Sequence, residues 1–426
     1  MLKLKPKRYT ACMRDSSAPH FVGLDVGTSM VRCVVGMLGS DADAKPSIIG
    51  HGSSQNLGMR KGVVVHIEDV TEAIVQAITE AERLSGVRID KATVNINGAH
   101  VTGINSKGVI AISAANREII VEDRLRVEEA AAVVKLPPNR EIVQLFAKNY
   151  SLDGQSNIKD PVGMHGVRLE VDTHIVTAAT PNLRNLDMAL ERAQVTPMRH
   201  TISSLAAAEA VLNRQQKEAG TVLVDIGAGT TNLLVIEDGE VQHVAVLPIG
   251  GQHITNDLAI GLKTDLDIAE QVKVTSAGLA FDAPKKSMVS VKQGDNDHTF
   301  KSSDVVMITE ARVEELLEYI DKELRKIQRS RKLPGGAVLV GGTAKLPGIA
   351  DFAKQKLQLP ARVGKLQALA GLIDTVEDAA YCTAVGLMLL DMLLLPEDVQ
   401  HHGGQAPMGG SIAGAVDRAL GYFKRR

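Results

Sequence analysis

The chain has only three cysteines, Cys12, Cys33 and Cys382, too widely separated for a CxxC or zinc-binding spacing. That excludes a disulfide framework and fits a reducing compartment, with the cytosol as the expected one. An excess of charge of one sign is also missing, since 48 Lys and Arg face 50 Asp and Glu for a formal net charge of −2. Such a balance points away from a polyanionic partner, so no nucleic acid is expected. Long apolar runs are absent as well. The longest, Ala384 to Leu395, is about a dozen residues where a spanning helix needs about 20, and no transmembrane helix is predicted. The basic, polar start (Lys3, Lys5, Lys7, Arg8, Arg14) lacks the apolar core of a signal peptide and reads as a disordered tail. No GxxxxGK[ST] run occurs, so a Walker A loop is excluded.

What is present is a repeated plan. Phe21 to Met37, FVGLDVGTSMVRCVVGM, is an apolar strand ending in Asp25, a glycine turn and a return strand. Far downstream, TVLVDIGAGTTNLLVIEDGEV repeats it around Asp225 and adds an Asp238-Gly239 turn into a third strand. In a Rossmann loop the glycines open a helix, whereas here Leu233 to Ile236 make them open a strand. Glycine lets backbone N–H groups close on phosphate oxygens and nearby hydroxyls add donors, which singles out Gly27, Thr28, Ser29, Gly227, Gly229, Thr230 and Thr231. Asp25 and Asp225 suit the waters of a hydrated Mg²⁺, and Arg32 on the first return strand adds a cation. Either hairpin alone reads more readily as an ordinary tight turn with an Asp that stabilises it. The pair points to a phosphate cleft.

Two further elements complete a nucleotide site. The strand Val338 to Val340 ends at Gly341-Gly342-Thr343, small enough for a flat adenosine to lie against the backbone. Glu270 and Lys273 share one helical face, as groups gripping a ribose or adenine edge would, although such a pair alone is more often a surface ion pair. Helices are predicted over Val70–Ser85, Val121–Val134, Asn182–Ala193, Leu205–Glu218, Ile254–Ala277, Ile308–Arg331 and Asp378–Leu394, with a polar hairpin over Met288–Phe300.

The order of these pieces resembles the actin/Hsp70/sugar-kinase superfamily. Within it, the phrases RKGVVVHIEDVTEAI, SSLAAAEAVLNRQQKEAGTVLVDIGAGTTN, PIGGQHITNDLAIGL and VGGTAKLPGI are similar to the FtsA family of actin-like bacterial cell-division proteins. The resemblance implies an α/β, actin-like (ribonuclease H-like) two-domain ATPase fold with duplicated phosphate hairpins and an inserted α+β subdomain, binding ATP and Mg²⁺. The expected divisions are a tail at 1–19, a first domain at 20–91 and 171–200, and the insertion at 92–170. A second domain follows at 201–260 with a small lobe at 261–332, then closing segments at 333–395, a linker at 396–410 and a terminal helix at 411–426. Hydrolytic superfamily members carry a Glu or Gln near the start of the connecting helix to orient water. Here Ser203-Ser204-Leu205 stands there, so weak or no ATPase activity is expected. Thr343 replaces a third glycine of the adenosine motif, which would tighten the pocket.

As a helix, Ser411 to Arg426 places Ile412, Val416, Ala419 and Phe423 on one face, flanked by Leu420, with Lys424, Arg425 and Arg426 beside them. This is the pattern of an interfacial helix on anionic membrane lipids, while Gly414 and Gly421 weaken it off the membrane. Four or five apolar side chains at roughly 1.5–3 kcal/mol each, offset by ordering, give reversible binding that polymerisation would strengthen. The resemblance implies tethering of FtsZ through its C-terminal tail near Arg312, filaments of the chain with itself, and contact with other division proteins of the membrane at the septum. A PilM-like pilus scaffold has the same fold but lacks such a tail. A metabolic kinase would need a catalytic carboxylate beside a sugar pocket, and no such constellation is evident.

Overall fold

A computed structural model of the chain describes residues 19–38, 45–113, 116–279, 287–294 and 296–393. Two sheets form its frame. In the first, six strands lie in the order Thr196–Ile202, Lys91–Ile96, His20–Val26, Met30–Met37, Ser47–Gln55 and Ala370–Gly371. In the second, five strands lie in the order Glu240–Leu247, Thr231–Glu237, Thr221–Ile226, Gly336–Val340 and Ala361–Val363. Each sheet centres on an antiparallel hairpin whose first strand pairs in parallel with a later strand, Leu24 with Val94 and Val224 with Leu339. Burial on both faces explains the unbroken apolar runs: all six residues of Thr221–Ile226 are buried.

The helices follow their apolar stripes. Ile67–Ser85 buries Val70, Ala73, Ile74, Ala77, Ile78 and Ala81 against the first sheet. It ends at Gly86, whose left-handed backbone (φ 71°) returns an N–H to the Glu82 carbonyl. The predicted run Leu205–Glu218 is two helices, Ser203–Val211 and Arg214–Ala219, because Asn213 caps the second through the Gln216 N–H. The run Ile254–Ala277 likewise divides into Gly251–Leu262 and Leu266–Ser276, where Lys263 adopts a left-handed φ of 55°. The long amphipathic helix spans Ser302–Lys326, displaced toward the N-terminus from Ile308–Arg331. The last described helix, Cys382–Leu393, lies almost wholly buried.

An inserted antiparallel sheet, ordered Thr102–Ala111, Arg168–Ala179, Arg140–Leu152 and Gln155–Ile158, carries the helix Val121–Ala132 and its own core around Ile119, Tyr150 and Leu169. The expected start of the insertion at residue 92 falls inside Lys91–Ile96, which pairs with His20–Val26 in the first sheet, and its strands run on to Ala179. The boundaries therefore shift toward the C-terminus. Periodicity alone did not separate a core strand from an inserted one. No helix among the described residues is long and apolar enough to cross a membrane.

Candidate functional site

The two hairpins close in the same way. Gly27 N–H donates to the Met30 carbonyl at 3.0 Å, and Gly227 N–H to the Thr230 carbonyl at 2.9 Å. Asp25 stands opposite Arg32 in the first register, and Asp225 opposite Asn232 in the second. A cation in one hairpin thus takes the place of an amide in the other. Between the hairpins opens a cleft of about 430 Å³, lined among others by Asp25, Gly27, Thr28, Ser29, Arg32, Asp225, Gly227 and Thr230.

Both carboxylates are buried. Asn95 Nδ2 donates to Asp25 Oδ1 at 2.7 Å and to Ser203 Oγ at 3.1 Å, while Asn95 Oδ1 accepts from the Val26 N–H at 2.7 Å. Burial raises the Asp25 pKa from 3.8 to about 7, eased by Arg32 and reinforced by the charge of Asp225. Burial also raises Asp225 to about 6, against the opposing hydrogen bond of Asn232, the charge of Arg32 and the hydrogen bond of Thr383. The guanidinium of Arg32 lies 5.3 Å from the ring centre of Tyr381, a cation–π contact that holds it over the cleft.

The opposite wall comes from the second sheet and the helix Leu266–Ser276. Gly341 takes φ 87°, and a Cβ there would stand 2.5 Å from Asp225 Oδ1, so only glycine lets this strand end pass the carboxylate. Glu270 and Lys273 line the cleft and are tied to the helix Gly251–Leu262: Lys273 Nζ reaches Glu270 Oε2 at 2.6 Å and Thr255 Oγ1 at 2.9 Å. They form part of the pocket wall. Thr343 donates to the Gly227 carbonyl at 3.0 Å, fastening the turn after the strand Gly336–Val340 to the second hairpin.

Two of the residues singled out from the sequence point elsewhere. The Thr231 hydroxyl is buried and donates to the Ile249 carbonyl at 2.8 Å, because Thr231 begins the return strand with its side chain on the face away from the cleft. Gly229 permits close packing, since a Cβ there would meet both the Oγ1 and Cγ2 of Thr28 at 2.9 Å. Arg312 sits away from the cleft on Ser302–Lys326, bound through Nη2 to Asp257 Oδ1 at 2.9 Å and paired with Glu315; its side chain is only 24% exposed. Ile412, Val416, Ala419, Leu420, Phe423, Lys424, Arg425 and Arg426 lie outside the described residues. Asn95, Asn97, Lys345, Asp378 and Tyr381 were not found from the sequence: Asn95 hydrogen-bonds Asp25, and the other four line the cleft.

Two sheets of matching topology, each presenting a buried Asp and a glycine turn to a common cleft, define an actin-fold protein. The fold is shared with the PilM–PilN type IV pilus biogenesis complex (TM-score 0.61, 17% identity, 87% of this chain and 97% of that one). It is also shared with MreB5 of Spiroplasma citri bound to ADP (TM-score 0.54, 12% identity, 90% and 99%). At the level of sequence, residues 222–386 match the family model "Cell division protein FtsA", and residues 98–177 match "SHS2 domain inserted in FTSA". The chain is 36% identical over 376 residues to cell division protein FtsA of Pseudomonas aeruginosa, covering 88% of this chain and 89% of that protein. It is 38% identical over 371 residues to that of Bacillus subtilis, covering 86% and 82%. The chain belongs to the FtsA family of cell division proteins.

Proposed function

We propose that this family member binds Mg-ATP between its two hairpins as a structural ligand that switches assembly, and tethers FtsZ to the cytoplasmic face of the membrane at the division septum. The observation that carries the nucleotide reading is the pair of buried carboxylates, Asp25 and Asp225, facing one cleft beside the glycine turns. The residues present fit the group. Two buried carboxylates facing one cleft are an oxygen-donor set that a hydrated divalent cation would neutralise, and the missing Cβ of Gly341 leaves the strand end against Asp225. Asp25 and Asp225 would hold the waters of Mg²⁺, and Thr28, Ser29 and Thr230 would donate to phosphate. Glu270 and Lys273 would meet the ribose or adenine edge. Bound Mg²⁺ supplies charge neutralisation to the phosphates. The MreB5 structure with ADP, which has this fold, supports the reading. Weak or no hydrolysis follows from Ser203, whose hydroxyl donates to the Ile96 carbonyl at 3.3 Å where a water-orienting Glu or Gln would stand.

The tether reading rests on the amphipathic pattern of residues 411–426 and on the family. The FtsZ tail would dock near Arg312, the chain would form filaments with itself, and other division proteins of the membrane would join it. A PilM-like role shares the fold, but the relatives at 36% and 38% identity are named for division. Co-pelleting tests the proposal. The full chain with Mg-ATP is expected to carry FtsZ onto liposomes containing anionic lipid, and the chain lacking 411–426 to leave it in the supernatant. Pelleting that ignores the deletion would sink the membrane anchor, and folded chain that ignores FtsZ would sink the tether.

A further inference from the structure

Asn97 occupies the junction between the first sheet and the insertion: one strand ends at Ile96 and the first inserted strand begins at Thr102. It also lines the cleft. Two donors converge on its Oδ1, the Gly98 N–H at 2.6 Å and the Thr230 hydroxyl at 3.1 Å. A backbone N–H can only donate, so the atom it meets is the amide oxygen, and the Thr230 hydroxyl must give that oxygen its proton.

Thr28, the threonine in the turn of the first hairpin, behaves differently. Its Oγ1 accepts from the Gly62 N–H at 3.1 Å. A hydroxyl has one proton and two lone pairs, so Thr28 can donate to a phosphate while keeping that bond. Thr230 cannot do the same, because its single proton is already given to Asn97.

We infer that Asn97 and a bound phosphate compete for the Thr230 proton, so that filling the cleft releases the root of the inserted subdomain. The inference rests on the nucleotide reading proposed above. Asn97 Oδ1 keeps its bond from Gly98 N–H after the exchange, so release strands no buried acceptor. The root is built to transmit the change. Gly98 (φ 117°) packs backbone to backbone on Gly62 (φ 73°), where a Cβ on Gly62 would stand 2.5 Å from Gly98 Cα. The Val101 N–H then donates to the Gly98 carbonyl at 3.0 Å. Arg140 binds the His100 carbonyl at 2.8 Å and the Thr177 carbonyl at 3.0 Å, joining the entering and leaving strands of the insertion.

The test is a double-mutant cycle on Mg-ATP affinity, read by calorimetry on the full chain, with hydrogen exchange followed over residues 98–101. Asn97→Ala removes the competitor and is expected to bind Mg-ATP about 2- to 10-fold more tightly, the range of one neutral hydrogen bond. Thr230→Val is expected to bind more weakly, and Asn97→Ala to have no further effect in that background. Mg-ATP should speed exchange at 98–101 in the parent chain. Unchanged or weaker binding by Asn97→Ala, or a gain that persists beside Thr230→Val, overturns the inference. Should Asn97→Ala fail to fold, Thr230→Val alone decides. Without nucleotide its root must exchange as fast as that of the saturated parent, and a protected root overturns the inference. A parent chain that binds no Mg-ATP fails the nucleotide reading itself, which is a different outcome from binding that leaves the root unmoved.

Discussion

Gly386, on the helix Cys382–Leu393, lies directly against the backbone of Ala206, on the connecting helix Ser203–Val211; a Cβ at 386 would stand 1.7 Å from the Ala206 carbonyl oxygen. The same helix is pressed onto the first sheet, where a Cβ on Gly23 would stand 2.1 Å from the Ala384 carbonyl oxygen. The helix is therefore wedged between the sheet and the connecting helix and cannot step aside. Gly386→Ala is expected to destabilise the chain by about 1–3 kcal/mol or more, even though alanine favours helix, because overpacking outweighs propensity here. Urea denaturation checks it, and a neutral or stabilising result would contradict the crossing.

Burial of the two cleft carboxylates has a signed consequence. The folded pKa of Asp25, about 7, lies above its ordinary 3.8, so between those values the folded chain holds more protons than the unfolded one. Stability from this group is therefore lost as pH rises toward 7, and Asp225, at about 6, acts in the same sense. Asp25→Asn keeps an oxygen for the Asn95 donor and removes the charge. Without nucleotide, the melting temperature of Asp25→Asn relative to the parent is expected to climb between pH 5 and pH 8. Binding of Mg-ATP is expected to collapse in the same variant. A pH-independent gap would show that Asp25 ionises freely.

The hairpins were legible in the sequence because their signal is local: an apolar strand, an Asp, a glycine turn and a second strand. The repeat of that signal gave the fold its two halves. Which side chains of a turn face the cleft is less local. Thr230 faces it and Thr231 does not, since Thr230 closes the turn while Thr231 begins the return strand with its hydroxyl on the Ile249 carbonyl. Asn95 reaches Asp25 only because Lys91–Ile96 lies parallel to His20–Val26, a pairing made across the intervening helix Ile67–Ser85. The helix breaks at Asn213 and Lys263 had local signals, an Asn cap and a Lys-Thr-Asp run, that the apolar periodicity around them outweighed.

The Thr343 hydroxyl ties the turn after the strand Gly336–Val340 to the Gly227 carbonyl of the second hairpin. That carbonyl also accepts from the Gly251 N–H at 2.9 Å, so losing Thr343 leaves it satisfied. Thr343→Val is expected to cost about 0.5–1.5 kcal/mol of stability, the net worth of one hydrogen bond. Thr343→Ser is expected to restore most of it. Denaturation midpoints of the three chains check the order, and a Val variant as stable as the parent would show that the tie contributes nothing.

The insertion is fastened to the second sheet through His174. Its Nε2 accepts from the Val244 N–H at 3.1 Å and its Nδ1 faces Asn105 Oδ1 at 2.8 Å, so the ring is neutral with its proton on Nδ1. Burial, with the charges of His243 and Lys148, lowers its pKa from 6.5 to about 3. A depressed histidine contributes stability above 6.5 that is lost as pH falls toward 3, the sense opposite to the cleft carboxylates. His174→Ala leaves the Val244 N–H buried without this acceptor and is expected to cost about 1–3 kcal/mol at pH 7. The gap to the parent should narrow by pH 4, because only the parent must keep a proton off this ring in order to fold. A gap that widens on acidification would mean that the ring is charged in the folded chain and that the insertion docks by another contact.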